Sequence, residues 1–287
     1  MRADDVPLAE RLSAEGYHEL DQRTYPRSWP DPVLRPAARG SAWVARTTHL
    51  VSTDPQGCWV AEVDGELAGV AVSFTRELMW ILASFAVRPQ LQGRGIGTQL
   101  MAAALHHGRG CLRGMLAASA DPRAVRRYRL AGFALHPQML LWGSVPREVI
   151  PVVDRVRDGS PGDFDLMDSV DRRTRGAAHG PDHAVLAGQF HLLVADRATG
   201  SGYTYVDGSG APVLLAATNR RTATDLAWSA LAASDPERSI EVAHVTAANQ
   251  WVLDIGMAAR MDLHQRGYLA VRNLKPPAPY LHHGSLL

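Results

Sequence analysis

The chain has 287 residues, 46% hydrophobic and 21% charged, which is the composition of an ordered globular protein with core enough for two domains. Thirty basic side chains against 29 acidic ones leave a formal charge of +1, which argues against a surface built to meet nucleic acid. Cys58 and Cys111 stand alone, without zinc-ligand spacing or a disulfide framework. No apolar run reaches the roughly 18 residues of a spanning helix. The beginning, MRADDVPLAERL, is acidic where a secretory signal would be basic and then apolar, so no membrane partner and a cytoplasmic location are expected.

In chain order, Leu8 to Leu20 is helix-compatible, and prolines at 26, 30, 32 and 36 then prevent a regular helix. Ala42 to Leu50 reads as a second short helix. Cys58 to Val63 and Glu66 to Phe74 flank Asp64-Gly65, a pair that favours the left-handed turn of a tight hairpin. Leu78 to Val87 is bulky and apolar on both faces, which predicts a central strand. A helix with Ile96, Leu100, Met101 and Leu105 on its buried face follows, and Gly108 and Gly110 end it. Leu112 to Ala118 is a strand. Asp121 caps a helix with Pro122 at its first position, Gly132 stops it, and Phe133 to Trp142 is the next strand.

Between the central strand and its helix lies RPQLQGRGIGT. Glycines at 93, 95 and 97 let backbone N–H groups close around a bulky anion, and the helix adds its unpaired amides and the positive end of its dipole. A P-loop would need a lysine after the glycines, and a dinucleotide fingerprint would need a third glycine where Thr98 stands and an acidic residue about 20 positions on. Gln92, Gly95 and Gly97 instead match Gln/Arg-x-x-Gly-x-Gly/Ala, so the loop resembles the acyl-CoA motif of the GNAT superfamily of N-acetyltransferases. DPRAVRRYRLAGF resembles that family's later signature through Ala124, Tyr128, Gly132 and Phe133, with Asp121 in place of the usual asparagine.

The resemblance implies acetyl-CoA as cosubstrate and acetyl transfer to a primary amine by direct attack in a ternary complex; no metal is expected, since neither the isolated cysteines nor the His282–His283 pair has ligand spacing. A small-molecule amine suits the near-neutral composition. On that resemblance Gln92, Gly93, Arg94, Gly95, Ile96, Gly97 and Thr98 cradle the diphosphate. The splayed strand end at Phe85, Ala86 and Val87 holds the pantetheine arm, Arg88 and Arg94 add charge, and Tyr128 is the general acid. The base stays open between Glu77, the nearest carboxylate before the strand, His136 after the last helix, and an amine that arrives partly deprotonated. Tyr25 and Trp29 either contact the acceptor or anchor a proline-rich loop.

Residues 144 to 162 read as a connector with an ordered apolar section at Val149 to Val156, after which the element order repeats. Helices are expected over Phe164 to Arg175, His183 to Ala187, Thr222 to Ala233 and Asn249 to Ala259. Strands are expected over His191 to Asp196, Ser201 to Val206, Ala211 to Ala217, Ser239 to Val245 and Tyr268 to Arg272. The step VLLAATNRRTATDL has no glycine in place of the loop, and Arg220 and Arg221 cannot rebuild a backbone cradle. The expected architecture is α/β (α+β). Two tandem GNAT-like domains each carry a mostly antiparallel mixed sheet flanked by helices: a catalytic one over 1–145 and a degenerate one over 163–287, joined by 146–162. A proline-rich arm, KPPAPYLHHGSLL, either runs back along the first domain toward the cleft or is a plain packing arm, and its His282–His283 pair lacks partners for a metal site. The oligomeric expectation is a monomer or homodimer. The competing functional class is a non-catalytic, CoA-responsive regulatory module, which the lack of a glutamate on the central strand would fit.

Overall fold

The computed structural model describes residues 1–25, 29 and 31–287. It is an α/β fold whose residues gather into two compact units, one of Met1–Leu116 with Ala120–Ala131 and one of Ala117–Ser119 with Gly132–Leu287. Among the described residues no helix is long and apolar enough to cross a membrane. Pro26 and Pro30, two of the residues expected to break the first helix, lie outside the described residues.

The first unit opens with α1 (Val6–Thr24) and α2 (Ala37–Thr53). The second helix starts five residues earlier than expected because Pro36, extended at φ −61°, sets the chain up to enter it at Ala37. Val6, Ala9, Leu12 and Trp43 of these helices bury against Val70. β1 (Cys58–Val63) and β2 (Glu66–Arg76) form the hairpin that Asp64 and Gly65 predict, both with left-handed φ (54° and 79°). β3 (Met79–Val87) is antiparallel to β2 and parallel to β4 (Arg113–Ala118), so Met79 to Leu82 are buried on both faces.

α3 (Ile96–His107) makes the crossover between β3 and β4, burying Leu100, Met101 and Ala104. The Trp80 indole N–H donates to the Ala104 carbonyl at 2.9 Å. A Cβ at Gly108 would stand 2.2 Å from the Trp80 ring, so glycine is needed where α3 ends. α4 (Pro122–Leu130) follows, with Asp121 accepting from the Arg123 amide at 2.8 Å as its cap.

The second unit holds β5 (Ala134–Gly143), β6 (Arg157–Asp158), α5 (Phe164–Thr174), α6 (Asp182–Ala187), β7 (His191–Arg197) and β8 (Gly200–Val206). It continues with β9 (Pro212–Ala217), α7 (Arg220–Leu231), β10 (Ile240–Thr246), α8 (Gln250–Ala258), β11 (Asp262–Arg272) and β12 (Tyr280–Leu281). β5, assigned from sequence to the first domain, hydrogen-bonds along its length to β11 and β10 and so falls in this unit. A second sheet runs β12-β9-β8-β7-β6, antiparallel throughout. Leu141, Leu215, Leu226, Trp251 and Ile255 share the core, on which Val149, Ile150, Val153 and Val156 of the connector pack as expected.

The C-terminal arm packs within the second unit. Its Tyr280 and Leu281 pair with Ala216 and Leu215 of β9, and Asn249 fixes it by donating to the Pro277 carbonyl and accepting from the Tyr280 amide. The two histidines are used separately. His283 Nδ1 accepts from the Ser285 and Leu286 amides, while His282 Nδ1–H donates to the His283 carbonyl.

The other His282 nitrogen meets the Gln138 amide group, whose oxygen accepts from His244 Nδ1 at 3.3 Å, and the His244 ring lies 4.3 Å from that of His282. Burial pushes His282 down to about 4, and burial with His282, His283 and Arg266 as neighbours pushes His244 well below its ordinary value. The unfolded chain therefore takes up protons that the folded one refuses. Stability is full above about pH 6.5 and falls as pH drops toward 4, by on the order of 3 kcal/mol for His282 alone. Urea unfolding between pH 7.5 and 4.5 should show this decline, and His282→Gln should flatten it. A midpoint independent of pH over that range would contradict the buried neutral pair.

Candidate active site

Gly93 and Gly95 adopt left-handed φ angles of 82° and 87°, and a Cβ at either would meet nothing within 4 Å. Gly95 is the cap of α3, its carbonyl accepting from Thr98 at 2.9 Å and Gln99 at 3.2 Å. Among the described residues the amides of Gly93, Arg94, Gly95, Ile96 and Gly97 form no hydrogen bond. Five unbonded donors thus gather at the positive end of a 12-residue helix, with open space beside Gly93 and Gly95 and the Arg127 guanidinium beside the buried Gly97, an arrangement suited to an anion. Gln92 fixes the loop's root by donating to the Val87 carbonyl at 3.1 Å and accepting from the Arg123 guanidinium at 2.5 Å.

The strand leading into this loop parts from its parallel neighbour. Pairing of β3 with β4 ends at Leu82 and Leu116, while β3 continues along β2 to Val87. Phe85, Ala86 and Val87 are half-buried and unpaired on the β4 side, leaving backbone polar groups free to bind an extended ligand.

Of the two arginines expected to add charge, Arg94 is exposed on the loop and Arg88 pairs with Glu66 at 2.8 Å. Sequence reasoning missed two others. Arg123 reaches Gln92. Arg127 lies where a Cβ on Gly97 would come within 3.1 Å of its Nη1, over the Phe85 ring and 3.5 Å from the Thr98 hydroxyl. Their spacing of four on one helix was the available signal, since it places both on one face of α4.

Tyr128 is on that same helix, buried, with its ring edge-on to Phe85 at 6.5 Å. No hydrogen bond to its hydroxyl forms among the described residues. Burial, then the Tyr17 phenol, push its pKa above the ordinary tyrosine value, with Arg127 opposing and Asp121 adding to the rise. The phenol is therefore fully protonated at neutral pH.

Glu77 forms the left-handed turn (φ 52°) before β3, at the opposite end of that strand from the loop, roughly 30 Å away at ~3.3 Å per residue. Glu77, the nearest carboxylate in sequence, therefore stands a strand's length from the glycine loop. His136 lies in β5 of the second unit, paired with Leu269. Tyr25 and Trp29 pack edge-to-face on each other at 5.3 Å.

Comparison with known proteins bears on this geometry. Residues 14–133 match the model of the acetyltransferase (GNAT) family. A candidate acetyltransferase from Pyrococcus horikoshii superposes with a TM-score of 0.74 over 100% of this chain and 93% of its own, at 16% identity. The fold is a GNAT fold. Two GCN5-related N-acetyltransferases share it, each with a TM-score of 0.58. The Kribbella flavida protein is 16% identical over 94% of this chain and 69% of its own, and the Sphaerobacter thermophilus protein 14% identical over 95% and 93%. The search among curated proteins found no match. The coverage of both sheets supports a tandem architecture.

One expectation is overturned. The absence of metal ligands was read from the isolated cysteines and the His282–His283 pair, yet Asp171, His179 and His183 of the second unit bring one ligand atom each within 4.8 Å of one another, fully buried. Burial works against the Asp171 charge, but His179, His183 and Arg175 outweigh it and hold the carboxyl far below the usual range. Burial and Arg175 lower His179, whereas Asp168 and Asp171 raise His183 in spite of its burial. The signal was present as two aspartates three apart followed by two histidines four apart in DSVDRRTRGAAHGPDH.

Proposed function

We propose that the first unit binds acetyl-CoA and transfers its acetyl group to a primary amine, of a small molecule, by direct attack in a ternary complex. The observation that carries this reading is the row of five unbonded amides from Gly93 to Gly97 at the start of α3, beside a strand end left unpaired. The diphosphate lies on those amides, with Arg94 and Arg127 adding charge, and the pantetheine arm follows Phe85 to Val87. A backbone N–H there polarises the thioester oxygen. The amine nitrogen attacks the carbonyl carbon, the C–S bond breaks, and the departing thiolate takes the Tyr128 proton. The nitrogen's excess proton leaves to water, from which Tyr128 is reprotonated. No carboxylate lies on β3 beside Ala83 and Ser84, which suits an amine that arrives partly deprotonated.

The second unit is a degenerate copy in this reading. At the start of α7 the Asn219 side chain accepts from the Thr222 amide at 3.0 Å, and no glycine opens the turn, so protein occupies what the first unit leaves free. The missing carboxylate also favours a second reading, a CoA-responsive module without catalysis. The test is CoA release and product formation with acetyl-CoA and a panel of small primary amines. Acetylated product is expected from at least one amine. Tight acetyl-CoA binding with no amine acetylated would replace the transferase reading with the regulatory one.

A further inference from the structure

Asp168 and Asp171 stand three apart on α5 and so share a face, and His179 and His183 stand four apart across the turn into α6. Left-handed Gly176 and Gly180 fold that turn back over α5. The Asp171 Oδ2 atom then lies 2.7 Å from His179 Nδ1 and 3.3 Å from His183 Nε2, and Asp168 Oδ1 lies 3.3 Å from the same His183 nitrogen. Asp171, His179 and His183 are fully buried.

Asp168 Oδ1 accepts from the Gly180 amide at 2.9 Å and Asp171 Oδ2 from the His179 amide at 3.3 Å, but one inward nitrogen is left over. His183 Nε2 is buried without a hydrogen-bond partner, although two carboxylate oxygens stand 3.3 Å away. Around a tetrahedral zinc, with bonds of about 2.0–2.1 Å to nitrogen or oxygen, neighbouring ligand atoms stand about 3.3 Å apart, so these two separations leave room for an ion beside His183 Nε2. The outward-facing atoms are all engaged. His179 Nε2 lies 2.8 Å from the Leu286 carbonyl, an acceptor that requires the N–H on this nitrogen and leaves the Nδ1 lone pair turned inward. The Tyr205 hydroxyl donates to the His183 carbonyl, so its oxygen can accept the His183 Nδ1–H at 3.2 Å. The Tyr203 hydroxyl donates to the outer oxygen of Asp171 at 2.6 Å. This is the arrangement of partners that orients ligands around a metal.

We propose that Asp171, His179 and His183 form a site for a divalent transition metal, with zinc the best-fitting ion, that staples α5 to α6, and that Asp168 at its rim adds negative charge beside His183. Two imidazole nitrogens select against magnesium and calcium, which take six or more oxygen ligands. With three ligands from protein, the fourth position of a tetrahedral ion is left to a water or to a turn of the Asp168 carboxylate. The site lies wholly in the second unit, so its failure would leave the transferase reading untouched.

The test is to strip the full-length protein with a chelator and titrate it with Zn²⁺ and, separately, Mg²⁺. Metal analysis should find one zinc per chain, and the thermal midpoint should rise with Zn²⁺ and not with Mg²⁺. Co²⁺ in place of zinc should give the intense visible absorption of a tetrahedral centre. His183→Ala should abolish binding. Asp168→Asn, at the partly exposed rim and so less of a risk to folding, should weaken binding by tenfold or more. No bound zinc, an unchanged midpoint, or unaltered affinity in Asp168→Asn would overturn the site and leave protons in the place assigned to the metal.

Discussion

Gly95→Glu is expected to remove measurable acetyl-CoA binding while the chain stays folded. The residue holds φ at 87°, where a side chain costs about 1–2 kcal/mol, and its Cβ would project into the open space that the diphosphate is proposed to fill. A carboxylate there faces the phosphates at short range. At an effective dielectric of about 20, one like-charge pair at about 4 Å costs about 4 kcal/mol, close to a thousandfold in affinity. Calorimetric titration of wild type, Gly95→Ala and Gly95→Glu separates the two contributions. Alanine brings only the backbone strain and should lose about tenfold, whereas glutamate should lose a thousandfold or more. Equal, small losses in both would mean that the loop does not face the cofactor.

Tyr128→Phe is expected to lower kcat by about 10²–10⁴, the usual contribution of a general acid, while leaving the KM for acetyl-CoA nearly unchanged. The substitution removes one oxygen from a buried ring whose edge-on packing against Phe85 survives. Because no protein group bonds to that hydroxyl among the described residues, stability should hardly change. Steady-state kinetics with the best amine of the panel, alongside a thermal melt, provides the check. An undiminished kcat would assign Tyr128 to packing alone.

The parts of the fold legible in sequence are those whose cause is local. Asp64-Gly65 fixes its hairpin through backbone conformation alone, Asp121-Pro122 starts a helix with atoms two residues apart, and the glycines of the loop act through what they lack. Partnerships made at a distance were not legible. β5 follows α4 directly, yet the strands it bonds to, β10 and β11, come only after β6, β7, β8 and β9, and nothing in FALHPQMLLWG names them. The arm's pairing with β9 is hidden for the same reason.

The site divides in the same way. Backbone donors were readable from the glycines, whereas the positions of side chains depended on packing. Arg88 was spent on Glu66, while Arg127, an ordinary charge on a helix surface in the sequence, came to lie against Gly97. Glu77 shows the limit of counting along the chain, since the nine-residue strand between it and the loop carries the two apart. The aspartate and histidine group needed a turn to fold back before its spacing meant anything.

Amide hydrogen exchange with and without acetyl-CoA tests the central claim most directly, because the claim concerns particular backbone N–H groups. Slowed exchange at Gly93 to Gly97 on adding acetyl-CoA, with no change from Asn219 to Thr222, is the predicted result. Unchanged exchange in the glycine loop, or protection appearing at the start of α7 instead, would contradict the account.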